Sequence, residues 1–269
     1  MVQISPNPES RALEDRVVLI TGACSGIGTA AAHCFARAGA TVVLLDRRTK
    51  PLEALYDAIE ARGGPTPALY PLDLLGASPA DYRELSNQLL AHFGRLDGLL
   101  HNAADIKGLT PLANFVVEQW YQSLQVNLNG PFLLTQALLE PLKRSADASV
   151  VFTTDAVGAE GRAYWGAYAV AKGAIDSLVR LLAHEWQANT PIRVNAIDPG
   201  AVRTATRMRL FPGVAPTTWP EPEAVMAAYL YLMGPASRGM TGQTLRAQAF
   251  GAPGEGPGDD GAKGRGTGA

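Results

Sequence analysis

Short apolar runs alternate with segments of helical hydrophobic spacing from Arg16 to about Gln248. This alternation is typical of βα units, and strands that are apolar on both faces indicate a parallel sheet covered by helices on each side. The pattern predicts one α/β domain with a seven-stranded, doubly wound parallel sheet. Strands are predicted at 17–20, 41–45, 68–71, 98–101, 149–153, 193–197 and 244–246. Helices are predicted at 26–38, 51–61, 79–93, 117–128, 131–144, 166–186 and 223–233.

The two ends of the chain depart from this alternation. Residues 1–13 contain Pro6 and Pro8 and are expected to form an irregular lead-in to a domain that spans 14–248. Residues 251–269 include eight glycines and almost no apolar side chains, so burial cannot compensate their ordering entropy. We therefore expect a disordered, glycine-rich tail over 249–269.

Composition and charge exclude several classes of function. The net charge is −2 without a basic block, so neither nucleic acid nor an anionic membrane is an expected partner. No apolar run approaches the width of a bilayer. The two cysteines, Cys24 and Cys34, and the four histidines show no disulfide or metal-ligand spacing. A small-molecule substrate, no metal and a reduced, cytoplasmic setting are therefore expected.

A glycine-rich turn with Gly22, Gly26 and Gly28 connects the first predicted strand to a helix. Glycines permit positive φ and close backbone approach, while the helix start presents free N–H groups and a partial positive charge to a pyrophosphate. The segment therefore predicts a dinucleotide site. A tight strand-to-helix turn without a ligand would also use such glycines.

The second predicted strand ends at Asp46, about 20 residues beyond the glycines. A carboxylate there can accept hydrogen bonds from the adenosine ribose hydroxyls and would repel the 2′-phosphate of NADP. Arg47 and Arg48 follow, and a guanidinium can bind that phosphate or simply face solvent. Because Ser25 rather than a basic residue lies in the glycine loop, NAD is the favoured cofactor and NADP the alternative.

The order of motifs resembles the short-chain dehydrogenase/reductase family over residues 14–248. The motifs are Gly22-x-x-x-Gly26-x-Gly28, Asp73-Leu74, Asn102-Ala103-Ala104, Asn127, Tyr168-x-x-x-Lys172 and Pro199-Gly200-x-x-x-Thr204. The resemblance implies a single Rossmann-like domain that transfers hydride between a nicotinamide dinucleotide and an alcohol or carbonyl. It also implies a homodimer or homotetramer that uses the helices at 131–144 and 166–186.

The same resemblance implies a cofactor site. Asp73 is expected beside the adenine, Asn102 in support of the cofactor, and Thr204 near its nicotinamide or phosphate end. The implied site comprises Gly22, Ser25, Gly26, Ile27, Gly28, Asp46, Arg47, Asp73, Leu74, Asn102, Ala103, Tyr168, Lys172, Pro199, Gly200, Val202 and Thr204.

Tyr168 and Lys172 lie one turn apart on a predicted helix, so both project from one face. An ammonium near a phenol stabilises the phenolate and lowers the pKa of the tyrosine, which suits proton transfer coupled to hydride transfer. The family resemblance further implies that Asn127 binds a water that connects Lys172 to solvent.

Asp155 departs from the family pattern, in which a serine that donates to the substrate oxygen normally lies thirteen residues before the tyrosine. An ionised carboxylate cannot donate, and its charge opposes both a developing alkoxide and a phenolate at Tyr168. Three arrangements would permit turnover: a protonated Asp155, an Asp155–Arg162 pair with Thr154 as donor, or a substrate group that binds a carboxylate.

Two hypotheses about the function of the protein follow. One is an oxidoreductase with Tyr168, Lys172, Asn127 and Asp155 in its catalytic centre, and the other is a nucleotide-binding protein with little or no turnover.

A proline-rich loop at 205–222 is expected to cover the substrate. Arg207 and Arg209 within it would bind an anionic substrate or face solvent. The residues Arg162, Tyr164 and Trp165 are expected to line the pocket.

Overall fold

The computed structural model describes residues 11–251 and confirms the predicted α/β architecture. Seven parallel strands form one sheet in the order β3-β2-β1-β4-β5-β6-β7. The predicted lead-in and tail lie largely outside the described residues. The strands are β1 (Val17–Thr21), β2 (Thr41–Asp46), β3 (Ala68–Pro71), β4 (Gly98–His101), β5 (Ala148–Thr153), β6 (Ile192–Asp198) and β7 (Thr244–Arg246).

Helices cover both faces of the sheet, as the apolar strands require. Within β1, Val18 and Ile20 pack into the core layer on one face, while Val17 and Leu19 pack into the layer on the other. In residues 11–251 no helix is long and apolar enough to cross a membrane. The helices are α1 (Ile27–Arg37), α2 (Thr49–Glu60), α3 (Pro79–Phe93), α4 (Val117–Leu124), α5 (Gly130–Ala137), α6 (Leu139–Lys143), α7 (Val157–Glu160), α8 (Gly166–Trp186), α9 (Ala205–Leu210) and α10 (Met226–Met233).

The predicted division between the helices at 117–128 and 131–144 is wrong. The helix continues from α4 into α5 through a π-helical segment, Gln125–Asn129, and its break lies at Leu138 instead. The N–H of Gly130 bonds to the carbonyl of Gln125, and this wider turn accommodates Pro131, whose ring carries no N–H. The proline therefore marks a widened turn rather than a helix start.

The sheet order places the carboxyl ends of β1 and β4 side by side, although the chain runs from β1 to β2. Crevices that bind ligands form at such a switch point in open α/β sheets. Gly22 follows β1 with φ +65°, and a Cβ on it would lie 2.8 Å from Cα of Ala103, which follows β4. Only glycine permits this approach, so the two loops meet at the mouth of the crevice.

Candidate active site

A cavity of about 430 Å³ opens at this edge of the sheet. It runs along the carboxyl ends of the strands and brings together almost all of the site residues predicted from the sequence. Gly28 and Asn127 are exceptions, because they lie behind the cavity wall. Its lining includes Gly22, Ser25, Gly26, Ile27, Asp46, Arg47, Asp73, Leu74, Asn102, Ala103, Asp155, Tyr168, Lys172, Pro199, Gly200, Val202 and Thr204.

The glycine loop leaves the start of α1 open. Gly26 takes φ +48° as the residue before the helix, no side chain caps its N–H groups, and no acidic residue lies in the first turn. A Cβ at Gly28 would lie 2.1 Å from the carbonyl oxygen of Gly22, so Gly28 allows the loop to close on itself. Asn102 donates from Nδ2 to that same carbonyl at 3.3 Å and ties the loop to β4. The uncapped helix start fits the pyrophosphate of a dinucleotide.

The carboxylate of Asp46 is buried and already bound by protein donors. Its Oδ1 accepts from Nε of Arg48 at 3.0 Å, and its Oδ2 accepts from the N–H of Cys24 at 3.2 Å. Burial alone would raise the pKa of Asp46, but the hydrogen bonds from Arg48 and Cys24 outweigh it and hold the pKa below its ordinary value. Arg47 is exposed and lines the cavity beside this pair. This end of the site therefore presents one paired carboxylate and two guanidinium groups.

Tyr168 and Lys172 project from α8 into the other end of the cavity, and both side chains are buried. Nζ of Lys172 donates to the carbonyl oxygen of Thr153 at 2.6 Å and lies 5.4 Å from the centroid of the Tyr168 ring. Burial lowers the pKa of Lys172 to about 8, although the charges of Asp155, Asp176 and Asp198 act in the opposite direction.

Asp155 lies directly against the tyrosine. The hydroxyl of Tyr168 donates to its Oδ2 at 3.3 Å, and the N–H of Val157 donates to its Oδ1 at 3.1 Å. Burial, and then the negative charge of Asp155, raise the pKa of Tyr168 well above its ordinary value. The pKa of Tyr168 in the protein without ligands therefore shifts opposite to the direction expected from Lys172, because burial and the charge of Asp155 dominate.

One of the three arrangements considered for Asp155 is also wrong. Arg162 donates from Nε to Glu160 at 2.9 Å rather than pairing with Asp155. Thr154 is buried and donates to Oδ1 of Asp176 at 2.7 Å. Alternation along the extended chain directs Thr154 away from Asp155 and toward α8, and its hydroxyl proton is already donated to Asp176.

Asn127 lies in the π-helical segment and binds the loop that follows β4. Its Oδ1 accepts from the N–H of Asp105 at 3.0 Å, and its Nδ2 donates to the carbonyl oxygens of Asp105 and Ser123, each at 2.8 Å. These bonds use both amide donor hydrogens. The predicted water relay from Asn127 to Lys172 stays a prediction, and the observed contact of the side chain is with this loop.

The loop at 205–222 is more ordered than the sequence indicated, since it contains α9. Oγ1 of Thr204 accepts from the N–H of Arg207 at 3.1 Å and caps this helix. Arg209 donates from Nη2 to the carbonyl oxygen of Ile106 at 2.6 Å and joins the loop to the segment after β4. Arg207 lines the cavity, whereas Arg209 does not.

Among the three residues expected to line the pocket near α8, Trp165 does so and Arg162 and Tyr164 do not. Tyr164 takes φ +74° and is 57% exposed, so the chain turns its ring outward. Sequence reasoning missed the stretch after β4, where Nζ of Lys107 pairs with Asp105 at 2.8 Å and Ile106 adds an apolar wall. Its position directly after Asn102-Ala103-Ala104 was the signal that could have revealed it.

Known proteins resemble this chain over most of its length. The family model for short chain dehydrogenase matches residues 16–215. The uncharacterized oxidoreductase YciK of Escherichia coli (strain K12) is 42% identical over 251 residues, which cover 93% of this chain and 97% of that protein. A short chain dehydrogenase from Pseudomonas syringae superposes with a TM-score of 0.86 at 48% identity, covering 92% of this chain and 100% of the other. A short chain dehydrogenase from Escherichia coli CFT073, complexed with NADPH, superposes with a TM-score of 0.87 at 42% identity. The match covers 90% of this chain and 100% of the other.

These relatives are named for oxidoreductase activity, and they lend no support to the alternative of a nucleotide-binding protein without turnover. They do not confirm NAD as the cofactor, because the complex of the Escherichia coli CFT073 protein contains NADPH. The family match and the identity both extend across the glycine loop and the tyrosine–lysine helix. The chain belongs to the short chain dehydrogenase family and is an oxidoreductase.

Proposed function

We propose that this protein is an NADP(H)-dependent oxidoreductase that interconverts an alcohol and a carbonyl, with Tyr168 as proton donor and acceptor. The observation that carries the proposal is the continuity of one cavity from the glycine loop to the Tyr168 hydroxyl. The start of α1 would hold the pyrophosphate of a dinucleotide, and the cavity continues from there to Tyr168.

The bound dinucleotide supplies or accepts the hydride. In the reducing direction Tyr168 donates its phenolic proton to the substrate oxygen as negative charge develops there. Because the pKa of Tyr168 is raised, the hydroxyl stays protonated at neutral pH and carries the proton that reduction requires. In the oxidising direction the same oxygen must first lose its proton, so we expect oxidation to require a higher pH than reduction.

Lys172 is proposed to hold the nicotinamide ribose, since its buried ammonium lies beside the Tyr168 ring. Asp73 and Leu74 are proposed at the adenine, and Val202 and Thr204 at the opposite end of the cofactor, because all four line the cavity. Asn127 is proposed to support this site from behind by fixing the backbone of Asp105.

The choice of NADP(H) over NAD(H) rests on the charged side chains at the carboxyl end of β2. Arg48 already occupies the carboxylate of Asp46, which is therefore a weak acceptor for ribose hydroxyls. Arg47 and Arg48 leave an excess positive charge where the 2′-phosphate of NADP would lie, and guanidinium groups bind phosphate strongly. The NADPH complex of a relative at 42% identity agrees with this assignment.

The substitution Tyr168→Phe tests the chemistry, with Tyr164→Phe as the matched control on an exposed ring. NADPH oxidation is followed with a panel of carbonyl compounds, and dinucleotide affinity is measured by calorimetry. We expect Tyr168→Phe to lower turnover by about 100-fold or more and to keep dinucleotide affinity, while Tyr164→Phe changes neither. Turnover that survives in Tyr168→Phe would remove the assigned mechanism.

We further propose a homo-oligomer that forms through α5 and α8. Phe132 on α5 is 45% exposed, and Val170 and Leu181 on α8 are each 52% exposed. Large apolar side chains that lie exposed on helices are candidates for a subunit interface where they form a contiguous patch. Light scattering should give a mass of two or four chains for the wild type and a lower mass for Leu181→Glu.

A further inference from the structure

The guanidinium of Arg207 lies against two aromatic rings of its own loop. Its central carbon lies 5.1 Å from the ring centroid of Phe211 and 5.9 Å from that of Trp219. Stacking engages the faces of a guanidinium and leaves its N–H donors free in the plane. Among residues 11–251, no carboxylate is paired with this group.

The other cationic side chains near this end of the cavity already have polar partners within the protein. Lys107 pairs with Asp105 at 2.8 Å, and Arg209 donates to the carbonyl oxygens of Ile106 and Lys107. Lys172 donates from Nζ to the carbonyl oxygen of Thr153 at 2.6 Å. Within the described part of the chain, Arg207 is therefore the cavity-lining cation at this end without a polar partner.

Arg207 and Tyr168 belong to the same end of the cavity. The positive charge of Arg207 acts on the Tyr168 hydroxyl in opposition to Asp155. The wall between them is aromatic, since Trp165 lies 5.7 Å from the ring of Tyr168 and 6.3 Å from that of Phe211. A substrate at Tyr168 thus has apolar contacts on one side and the free guanidinium donors of Arg207, on the loop at 205–222, on the other.

The backbone fixes this arrangement. The N–H of Arg207 is bound by Oγ1 of Thr204, and the far end of the loop is bound where the N–H of Arg203 donates to the carbonyl of Pro220 at 2.8 Å. The guanidinium is therefore preorganised by stacking and by the capped turn, which lowers the entropic cost of binding an anion.

We propose that the substrate of this oxidoreductase is an oxo or hydroxy acid whose carboxylate is bound by Arg207 on the loop at 205–222. A planar guanidinium binds a carboxylate through two parallel hydrogen bonds, which gives both affinity and orientation. This inference rests on the proposed function, because it places the carboxylate relative to the carbon that reacts beside Tyr168.

Calorimetric titration of the NADP⁺-saturated protein with benzoate and with benzamide tests the inference without turnover. The two probes have the same ring and nearly the same shape and differ in charge. We expect the wild type to bind benzoate at least about tenfold more tightly than benzamide. Arg207→Gln should lose this preference and Arg207→Lys should keep part of it. Arg209→Gln, which removes a nearby arginine bound to backbone carbonyls, should retain the preference.

NADP⁺ affinity is measured for each variant, and Arg207→Gln should stay within about twofold of the wild type. Equal binding of the two probes by the wild type, or no binding of either, would overturn the inference. A loss of NADP⁺ affinity in Arg207→Gln with the benzoate preference unchanged would also overturn it and assign Arg207 to a cofactor phosphate. If NADP⁺ does not bind to the wild type, the proposed function fails, and the benzoate comparison on the free protein still decides the role of Arg207.

Discussion

The hydroxyl of Tyr168 donates to Oδ2 of Asp155 at 3.3 Å, so a carboxylate lies where the tyrosine proton leaves and returns. The carboxylate is also held by the N–H of Val157, which fixes it toward the tyrosine. Its charge disfavours the phenolate and contributes to the raised pKa of Tyr168. Asp155 thus keeps the hydroxyl of Tyr168 protonated at neutral pH and opposes the phenolate that forms when the proton is donated.

Asp155→Asn tests this relationship because it keeps the shape of the side chain and removes the charge. The pKa of Tyr168 should fall, and the midpoint of the pH profile for alcohol oxidation should move to lower pH. Oxidation at neutral pH should rise by on the order of tenfold. Asp155→Ser should move the profile in the same direction and add a donor for the substrate oxygen. An unchanged pH profile in Asp155→Asn would mean that another group controls the ionisation.

The contrast between Asp155 and Thr154 shows what the sequence can and cannot predict. The motif spacing placed Asp155 before the tyrosine helix, and strand alternation correctly directed Thr154 elsewhere. The ion pair between Asp155 and Arg162, one of the three arrangements considered, does not form, because Glu160 at the end of α7 binds Arg162 instead. Local competition of this kind depends on a short helix that the hydrophobic pattern does not reveal.

The pair formed by Arg48 and Asp46 predicts how cofactor preference can be changed. Arg48→Gln removes a charge from the proposed phosphate site and frees the Asp46 carboxylate to accept from ribose hydroxyls. The ratio of Kd values for NADPH and NADH should move toward NADH by roughly 100-fold. Arg62→Gln, on an exposed arginine outside this cavity, is the control. If Arg48→Gln leaves the ratio unaltered, Arg48 has no part in cofactor choice.

Asp147 predicts an acid-dependent loss of stability. It pairs with Arg16, Arg193 and Arg238 at the end of β5 opposite the site, and its side chain is 13% exposed. Burial alone would raise its pKa, but the charges of Arg193 and Arg16 outweigh it and hold the pKa below the ordinary value. The stabilisation is therefore complete above the unfolded pKa of about 4 and is lost as pH falls through the lower folded pKa.

Asp147→Asn should lower the free energy of unfolding at neutral pH by about 3 kcal/mol, since it leaves buried guanidinium groups unpaired. Urea unfolding at several pH values measures this, and the difference from wild type should shrink toward low pH. Glu140→Gln breaks an exposed pair with Arg144 and should cost less than about 0.5 kcal/mol. A difference that is constant with pH would contradict the assigned role of the carboxylate.

The elements themselves were predictable because the central strands are apolar on both faces and glycines mark the turns that follow helices. Gly39 and Gly94 follow helices and take φ +96° and +74°, a left-handed conformation that glycine adopts without strain. The partners of polar side chains were less predictable. Asn127 binds the backbone of Asp105, which is 22 residues away in sequence and close only after the sheet forms, so the sequence carries no sign of this contact.

Gly28 is predicted to be required for the glycine loop rather than for direct contact with the cofactor. It does not line the cavity, and a Cβ there would lie 2.1 Å from the carbonyl oxygen of Gly22 and 2.8 Å from Nδ2 of Asn102. Gly28→Ala should therefore open the loop, destabilise the fold by about 3 kcal/mol and abolish measurable NADPH binding. Gly76→Ala is the matched control, because nothing lies within 4 Å of a Cβ at that position. Thermal unfolding and calorimetry measure both effects, and normal NADPH affinity in Gly28→Ala would show that the loop tolerates the displacement.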